Sequence, residues 1–208
     1  MITGYATAEG TKKFAERQQE VSHQNYKDVN GLMLSNVGIG TYLGNPDIET
    51  DNLVENAIKK SINGGINVID SAINYRAQKA ERSVGNALAQ LIDNNDVSRE
   101  EIFVSTKNGY VTNDGDIKED LMEYVMREYG KTGIVKEGDI SPGYHCMTIP
   151  YLNDQLERSL KNLGLDCIDL MYLHNAVEGQ PQMARDEFIA QLKNVFEFFE
   201  KQRKEQNI

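Results

Sequence analysis

Four short apolar runs, each followed by a stretch of helical periodicity, constrain this chain more than any other feature in it. The runs are Leu34–Thr41 (broken by Gly38 and Gly40), Ile66–Ile69, Ile102–Ser105 and Cys167–Leu173. A helix is expected over Asp51–Asn63, with Leu53, Val54, Ala57, Ile58 and Ile62 on one face and Gly64-Gly65 as its stop. Further helices are expected over Lys79–Ile92, with Val84, Leu88, Leu91 and Ile92 inward, and over Leu152–Leu163. A long one covers Arg185–Lys204 and carries Phe188, Leu192, Val195, Phe196 and Phe199. Parallel neighbours need a crossover long enough to hold a helix, so the alternation predicts an α/β protein with a parallel sheet. A doubly wound sheet and a (β/α)8 barrel both satisfy it. Gly38, Gly40 and Gly44 are spaced too widely for G-x-G-x-x-G, and Asn45-Pro46 delays the helix, which argues against a Rossmann dinucleotide loop.

Residues 1–30 read as a polar segment with a short helix around Lys12–Glu20, and the regular pattern occupies 31–208. One connection is long: an insertion at about 108–150, rich in glycine, whose middle (Ile117–Tyr129) reads as a short helix. A long excursion after a strand's C-terminal end builds a lid or a substrate wall, or else merely decorates the surface.

The formal charge of −10 and a sequence pI of 4.8 argue against nucleic acid or an anionic membrane as partner, since both need a basic face. Two cysteines, Cys146 and Cys167, suit a reduced cytoplasmic protein better than a disulfide framework, and Cys167 reads as a core residue. Neither a secretory signal nor a bilayer-spanning run is visible. His23, His145 and His174 are scattered without zinc-like spacing, so no metal site is expected. His145-Cys146 is either a pair at a pocket mouth or an ordinary loop pair.

Residues able to do chemistry fall at or just past strand ends: Asp70 and Tyr75 in N-V-I-D-S-A-I-N-Y, Lys107 in I-F-V-S-T-K, and His174 in D-L-M-Y-L-H-N. Parallel α/β sheets place their sites at those ends, and strands about 4.8 Å apart let such side chains converge. A phenol with a pKa near 10 is a reluctant acid, and a lysine ammonium beside it stabilises the phenolate and makes Tyr75 a better proton donor. Asp70 would hold Lys107 charged and aimed. A neutral His174 would orient and polarise a carbonyl oxygen, with hydride supplied by a cofactor. Each residue also has a bland reading: a turn cap for Asp70, a half-buried aromatic for Tyr75, a loop histidine for His174. A Schiff-base aldolase using Lys107 is a third class, opposed by the carboxylate that would keep the lysine protonated.

These runs resemble the aldo-keto reductase superfamily. The resemblance is carried by V-G-I-G-T-Y (Val37–Tyr42), G-G-I-N-V-I-D-S-A-I-N-Y (Gly64–Tyr75), E-R-S-V-G-N-A-L (Glu81–Leu88), V-S-T-K (Val104–Lys107), Q-L-E-R-S-L-K-N-L-G-L-D (Gln155–Asp166) and Y-L-H-N (Tyr172–Asn175). It implies a (β/α)8 TIM-barrel type of fold and NADP(H)-dependent reduction of a small-molecule carbonyl compound. The family's catalytic positions fall on Asp70, Tyr75, Lys107 and His174, and its cofactor contacts on Gly40, Thr41, Tyr42, Asp70 and Asn175. Ala176 stands where the family often has proline.

A full barrel needs roughly 250 residues and eight units. The four units here are expected to form an incomplete barrel, the N-terminal half, with Val68, Val104 and Ile168 facing water or a partner. The later loops that grip the cofactor phosphates in this family would be missing. A homo-oligomer completing the barrel, or a truncated, non-catalytic relative acting as a binding or regulatory protein, are the alternatives to a working reductase.

Overall fold

The computed structural model describes all 208 residues. Its N-terminal part holds helix α1 (Ala8–Arg17) and an antiparallel hairpin of β1 (Tyr26–Val29) and β2 (Leu32–Ser35). Asn30 and Gly31, at φ +53° and +89°, make the turn. Two left-handed central residues match the right-handed twist of a hairpin, and Asn-Gly is the pair that adopts them most readily. The run expected as one strand over Leu34–Thr41 is therefore two elements. Its first residues pair backwards into the hairpin, and the chain resumes as β3 (Ile39–Gly40).

Helix α2 (Ile48–Asn63) follows, then β4 (Val68–Asp70), α3 (Lys79–Asp93) and β5 (Phe103–Asn108). The insertion carries α4 (Leu121–Val125), which runs into a wider π turn at Met126–Gly130. Next come α5 (Ile149–Leu163), β6 (Leu170–Leu173), the single turn α6 (Ala176–Gly179) and α7 (Arg185–Lys204). Strands β3, β4, β5 and β6 lie side by side in sequence order, every pair parallel. Gly40 stands opposite Asp70, Asp70 opposite Ser105, and Lys107 opposite Tyr172.

The hairpin and α1 cover the N-terminal ends of these strands. Buried Asn67, just before β4, accepts from the Ser35 N–H at 2.8 Å and donates to the Met33 carbonyl at 3.0 Å. Tyr26 Oη donates to the Gly65 carbonyl at 2.7 Å. That leaves the C-terminal ends of the sheet free for a site.

Side-chain alternation along β5 sorts the two faces. Thr106 donates to Glu81 of α3 and Asn108 to the Leu152 carbonyl of α5, so the Val104, Thr106 and Asn108 face is the helix-covered one. Val104 and Ile168 are fully buried, which corrects the expectation that they face water; Val68 is half-buried. Phe103, Ser105 and Lys107 take the opposite face. Helix α2 also presents a narrower stripe than its sequence suggests. Asp51, Ile58 and Ile62 are buried, whereas Leu53 and Ala57 are exposed. Residues one step off a helical stripe are displaced by about 100°, enough to reach solvent. Phe196 of α7 is exposed for the same reason, while Val195 and Phe199 are buried.

The insertion docks on α5 through aromatic rings, with Tyr129 edge-on to Tyr151 at 5.4 Å and to Tyr124 at 6.0 Å. Its two ends pair with each other, since Tyr110 bridges to His145 and Ile140 to Cys146. No helix is long and apolar enough to cross a membrane.

Candidate active site

The end of β4 delivers Asp70 and the end of β5 delivers Lys107. Lys107 Nζ donates to Asp70 Oδ2 at 2.6 Å and to the Ser71 carbonyl at 2.7 Å. The other carboxylate oxygen accepts from Ser105 Oγ at 2.9 Å, so the carboxylate is fixed from two sides. Ser105 is a part of this cluster that sequence reasoning passed over. Two positions before Lys107 on the same strand, it shares that residue's face, and this was the available signal.

Tyr75 reaches the pair from the loop after β4. That loop turns through three successive left-handed residues, Arg76, Ala77 and Gln78, at φ +49°, +52° and +72°. None is glycine, and each such residue costs of order 1 kcal/mol. Buried side chains hold the turn: Arg76 Nη1 donates to Asp51 of α2 at 2.9 Å, its Nη2 to Ser83 at 2.7 Å, and Gln78 to the Asn113 carbonyl at 3.1 Å. The Tyr75 ring is thereby placed with Lys107 Nζ 4.7 Å from its centroid.

His174, just past β6, lies edge-on to Tyr75 with centroids 5.7 Å apart. The four chemistry-bearing side chains named from the sequence therefore meet at one end of the sheet. Burial, the Lys107 ammonium and His145 push the His174 imidazole down to about 4, against the pull of Asp70. Its Nδ1 is buried without a hydrogen-bond partner.

Of the other expected positions, Gly40 is exposed opposite Asp70, with open space where a Cβ would stand. Tyr42 is 65% exposed and T-shaped against Tyr75 at 5.0 Å. Asn175 is exposed, at φ +42°. Thr41 is different. It is buried, its N–H goes to the Asp70 carbonyl and its hydroxyl bonds to Ser71 Oγ at 3.0 Å, so its polar groups face inward.

The insertion contributes Tyr110 and His145, with the Tyr110 ring 5.0 Å from His174 and 5.2 Å from His145. His145 is fully buried, neither at a pocket mouth nor in an ordinary loop. Cys146 beside it is a buried thiol raised by desolvation, and Cys167 is also buried and unpaired. A separate cavity of about 350 Å³ lies at the opposite end of the sheet, among Tyr5, Phe103 and Ile208.

A family model described as the aldo/keto reductase family matches residues 36–205, most of the chain. The chain belongs to the aldo/keto reductase family. Among curated relatives, rho crystallin of Aquarana catesbeiana is 28% identical over 156 residues, covering 75% of this chain and 36% of that protein. Aldo-keto reductase AKR2E4 of Bombyx mori is 29% identical over 152 residues, covering 72% and 37%. Among solved structures, aldo-keto reductase AKR11C1 from Bacillus halodurans superposes with a TM-score of 0.54 at 23% identity, over 88% of this chain and 48% of that one. The thermostable aldo-keto reductase Tm1743 gives 0.51 at 21% identity, over 87% and 50%. The chain thus spans little more than a third of the curated relatives' length and about half that of these structures. Such structural likeness shows a shared fold.

Proposed function

We propose that this chain carries the proton-donating machinery of a carbonyl reductase, in which Tyr75 Oη gives a proton to the oxygen of an aldehyde or ketone. The observation that supports it is the meeting of Asp70, Tyr75, Lys107 and His174 at the C-terminal ends of parallel strands in a member of this family. The Lys107 ammonium over the Tyr75 ring stabilises the negative charge left as the proton departs. Asp70 and Ser105 keep that ammonium aimed. With Nδ1 of His174 buried and unpaired, its proton sits at lower cost on Nε2, from which a neutral imidazole donates to the same substrate oxygen.

NADP(H) is the proposed cofactor, and when bound its reduced nicotinamide supplies the hydride that no side chain can. The residues fit such a group. Gly40 leaves open space beside Asp70, exposed Tyr42 follows it, and exposed Asn175 stands past the strand at the other edge of the sheet, so these four would hold it. Thr41, turned inward, would instead support the strand end. An aldolase role for Lys107 is disfavoured because its ammonium, ion-paired to the Asp70 carboxylate at 2.6 Å, carries no lone pair to attack a carbonyl.

The sheet is read as an arc of a (β/α)8 barrel. Strands β3 and β6 are each paired on one side only, and a second copy of the chain meeting those edges would close it. A strictly monomeric chain by light scattering would remove that part. The unpaired cysteines suit a cytoplasmic location.

The test is Tyr75→Phe, followed by NADPH oxidation with a panel of aldehydes and by cofactor binding through nicotinamide fluorescence. Reduction should be abolished with binding retained. Undiminished turnover removes Tyr75 as donor, and no binding at millimolar cofactor favours the non-catalytic, regulatory relative.

A further inference from the structure

A catalytic imidazole is ordinarily oriented by a hydrogen bond to the ring nitrogen that does not face the substrate. His174 lacks this, because its buried Nδ1 has no partner. Its ring must be aimed by other means, and the surroundings provide two. The rings of Tyr75 and Tyr110 pack edge-on against it at 5.7 and 5.0 Å. Its backbone is gripped at both ends: its N–H donates to the Asn108 carbonyl at 2.8 Å, and its carbonyl lies 2.8 Å from His145 Nε2.

His145 comes from the far end of the insertion and is built in. A Cβ on Gly109 would stand 2.4 Å from its Nε2, and one on Gly179 would stand 2.6 Å from its Cγ, so two glycines make room for the ring. Gln180 Nε2 lies 3.2 Å from His145 Nδ1 and also donates to the His145 carbonyl. An amide donor at Nδ1 and a carbonyl acceptor at Nε2 admit one neutral tautomer, with the proton on Nε2. His145 thus reaches the candidate site through one hydrogen bond to the backbone of its imidazole.

We propose that His145, locked by Gln180, is a positioning residue for His174: its Nε2–H bond to the His174 carbonyl sets the pitch of the catalytic ring. The insertion then serves the chemistry by carrying this donor back to the sheet. The proposal rests on the assignment of His174 to carbonyl polarisation, but its geometric content can be read without turnover.

The experiment compares His145→Phe, which fills the space without a donor, with His145→Gln, whose side-chain amide can restore one. NMR of the His174 ring protons in the full chain is the first readout, since the ring currents of Tyr75 and Tyr110 shift them. His145→Phe should move those resonances toward free-histidine values and His145→Gln should return them. In turnover, His145→Phe should lower kcat about tenfold or more at nearly constant KM, as small misplacements of an aimed group do, and His145→Gln should recover most of it. Unmoved His174 resonances in His145→Phe, or equal displacement in both variants, overturn the proposal. Should His145→Phe not fold, Gln180→Leu decides by the same measure: a shift in the same direction supports the lock, and none refutes it. If the wild-type chain shows no reductase activity, the functional reading falls while the NMR result still decides this one.

Discussion

Lys107 and Asp70 meet across neighbouring strands, Nζ to Oδ2 at 2.6 Å, and the same ammonium stands 4.7 Å from the Tyr75 ring centroid. One cation thereby ties the carboxylate of β4 to the phenol in the loop beyond it. Lys107→Met should lower carbonyl reduction by about 100-fold or more, the range of a lost acid–base contribution. Stability should change by only about 1 kcal/mol or less, because the carboxylate is 41% exposed and keeps Ser105. Kinetics beside urea denaturation separate the two effects; a large stability loss with intact turnover would reverse the assignment.

Acid should weaken the fold through His174. Its folded pKa of about 4 lies below the ordinary 6.5, so on acidification the unfolded chain binds the proton first. The stability is present above about 6.5 and is lost as pH falls toward 4. His145, lowered by burial, acts with the same sign. Urea midpoints across this window should fall with pH, and more gently in His174→Phe. An equal slope in both proteins would place the effect elsewhere.

Glu81 should show the opposite slope. Its carboxyl is fully buried between α3, β5 and α5, where Thr106 Oγ1 and Asn162 Nδ2 reach it at 2.7 and 3.0 Å, and burial raises its pKa above 4.5. The folded chain therefore keeps a proton that the unfolded chain releases, and stability is lost as pH rises through the folded pKa. Relative to the protein itself, Glu81→Gln should gain stability at about pH 8 compared with about pH 4. A difference independent of pH would mean that the carboxyl is charged in both states.

The left-handed turn after Tyr75 predicts a stabilising substitution. Ala77 sits at φ +52°, and its carbonyl already accepts the Gly115 N–H at 2.9 Å, a bond that glycine keeps. Relief of strain, less the added freedom of the unfolded chain, should make Ala77→Gly more stable by about 0.5–1 kcal/mol. Arg76→Gly and Gln78→Gly relieve similar strain but forfeit buried hydrogen bonds, and should destabilise. Thermal denaturation of the three variants checks the ordering.

Strand ends and helix faces were legible where local period decides them. Asp70 and Lys107 close apolar runs whose residues alternate between two faces, and that alternation alone puts them beside each other once the strands pair. Asn30-Gly31 was an equally local signal for the hairpin, obscured because the apolar residues after it also read as the start of the next strand. Leu53 and Ala57 on α2 marked the limit of this logic. A periodic stripe says which residues can face inward, whereas the width of the neighbouring surface selects those that do.

The sequence by itself determined the alternation of strand and helix and the order in which carboxylate, phenol, ammonium and imidazole emerge, because both follow from contacts within a few residues. Only the tertiary structure decided that Thr41 turns inward, that Ser105 braces Asp70, and that His145, 29 positions before His174, grips its carbonyl. Those contacts depend on how the insertion folds back onto the sheet, and on burial, which sets the charge of each imidazole through solvent it no longer touches.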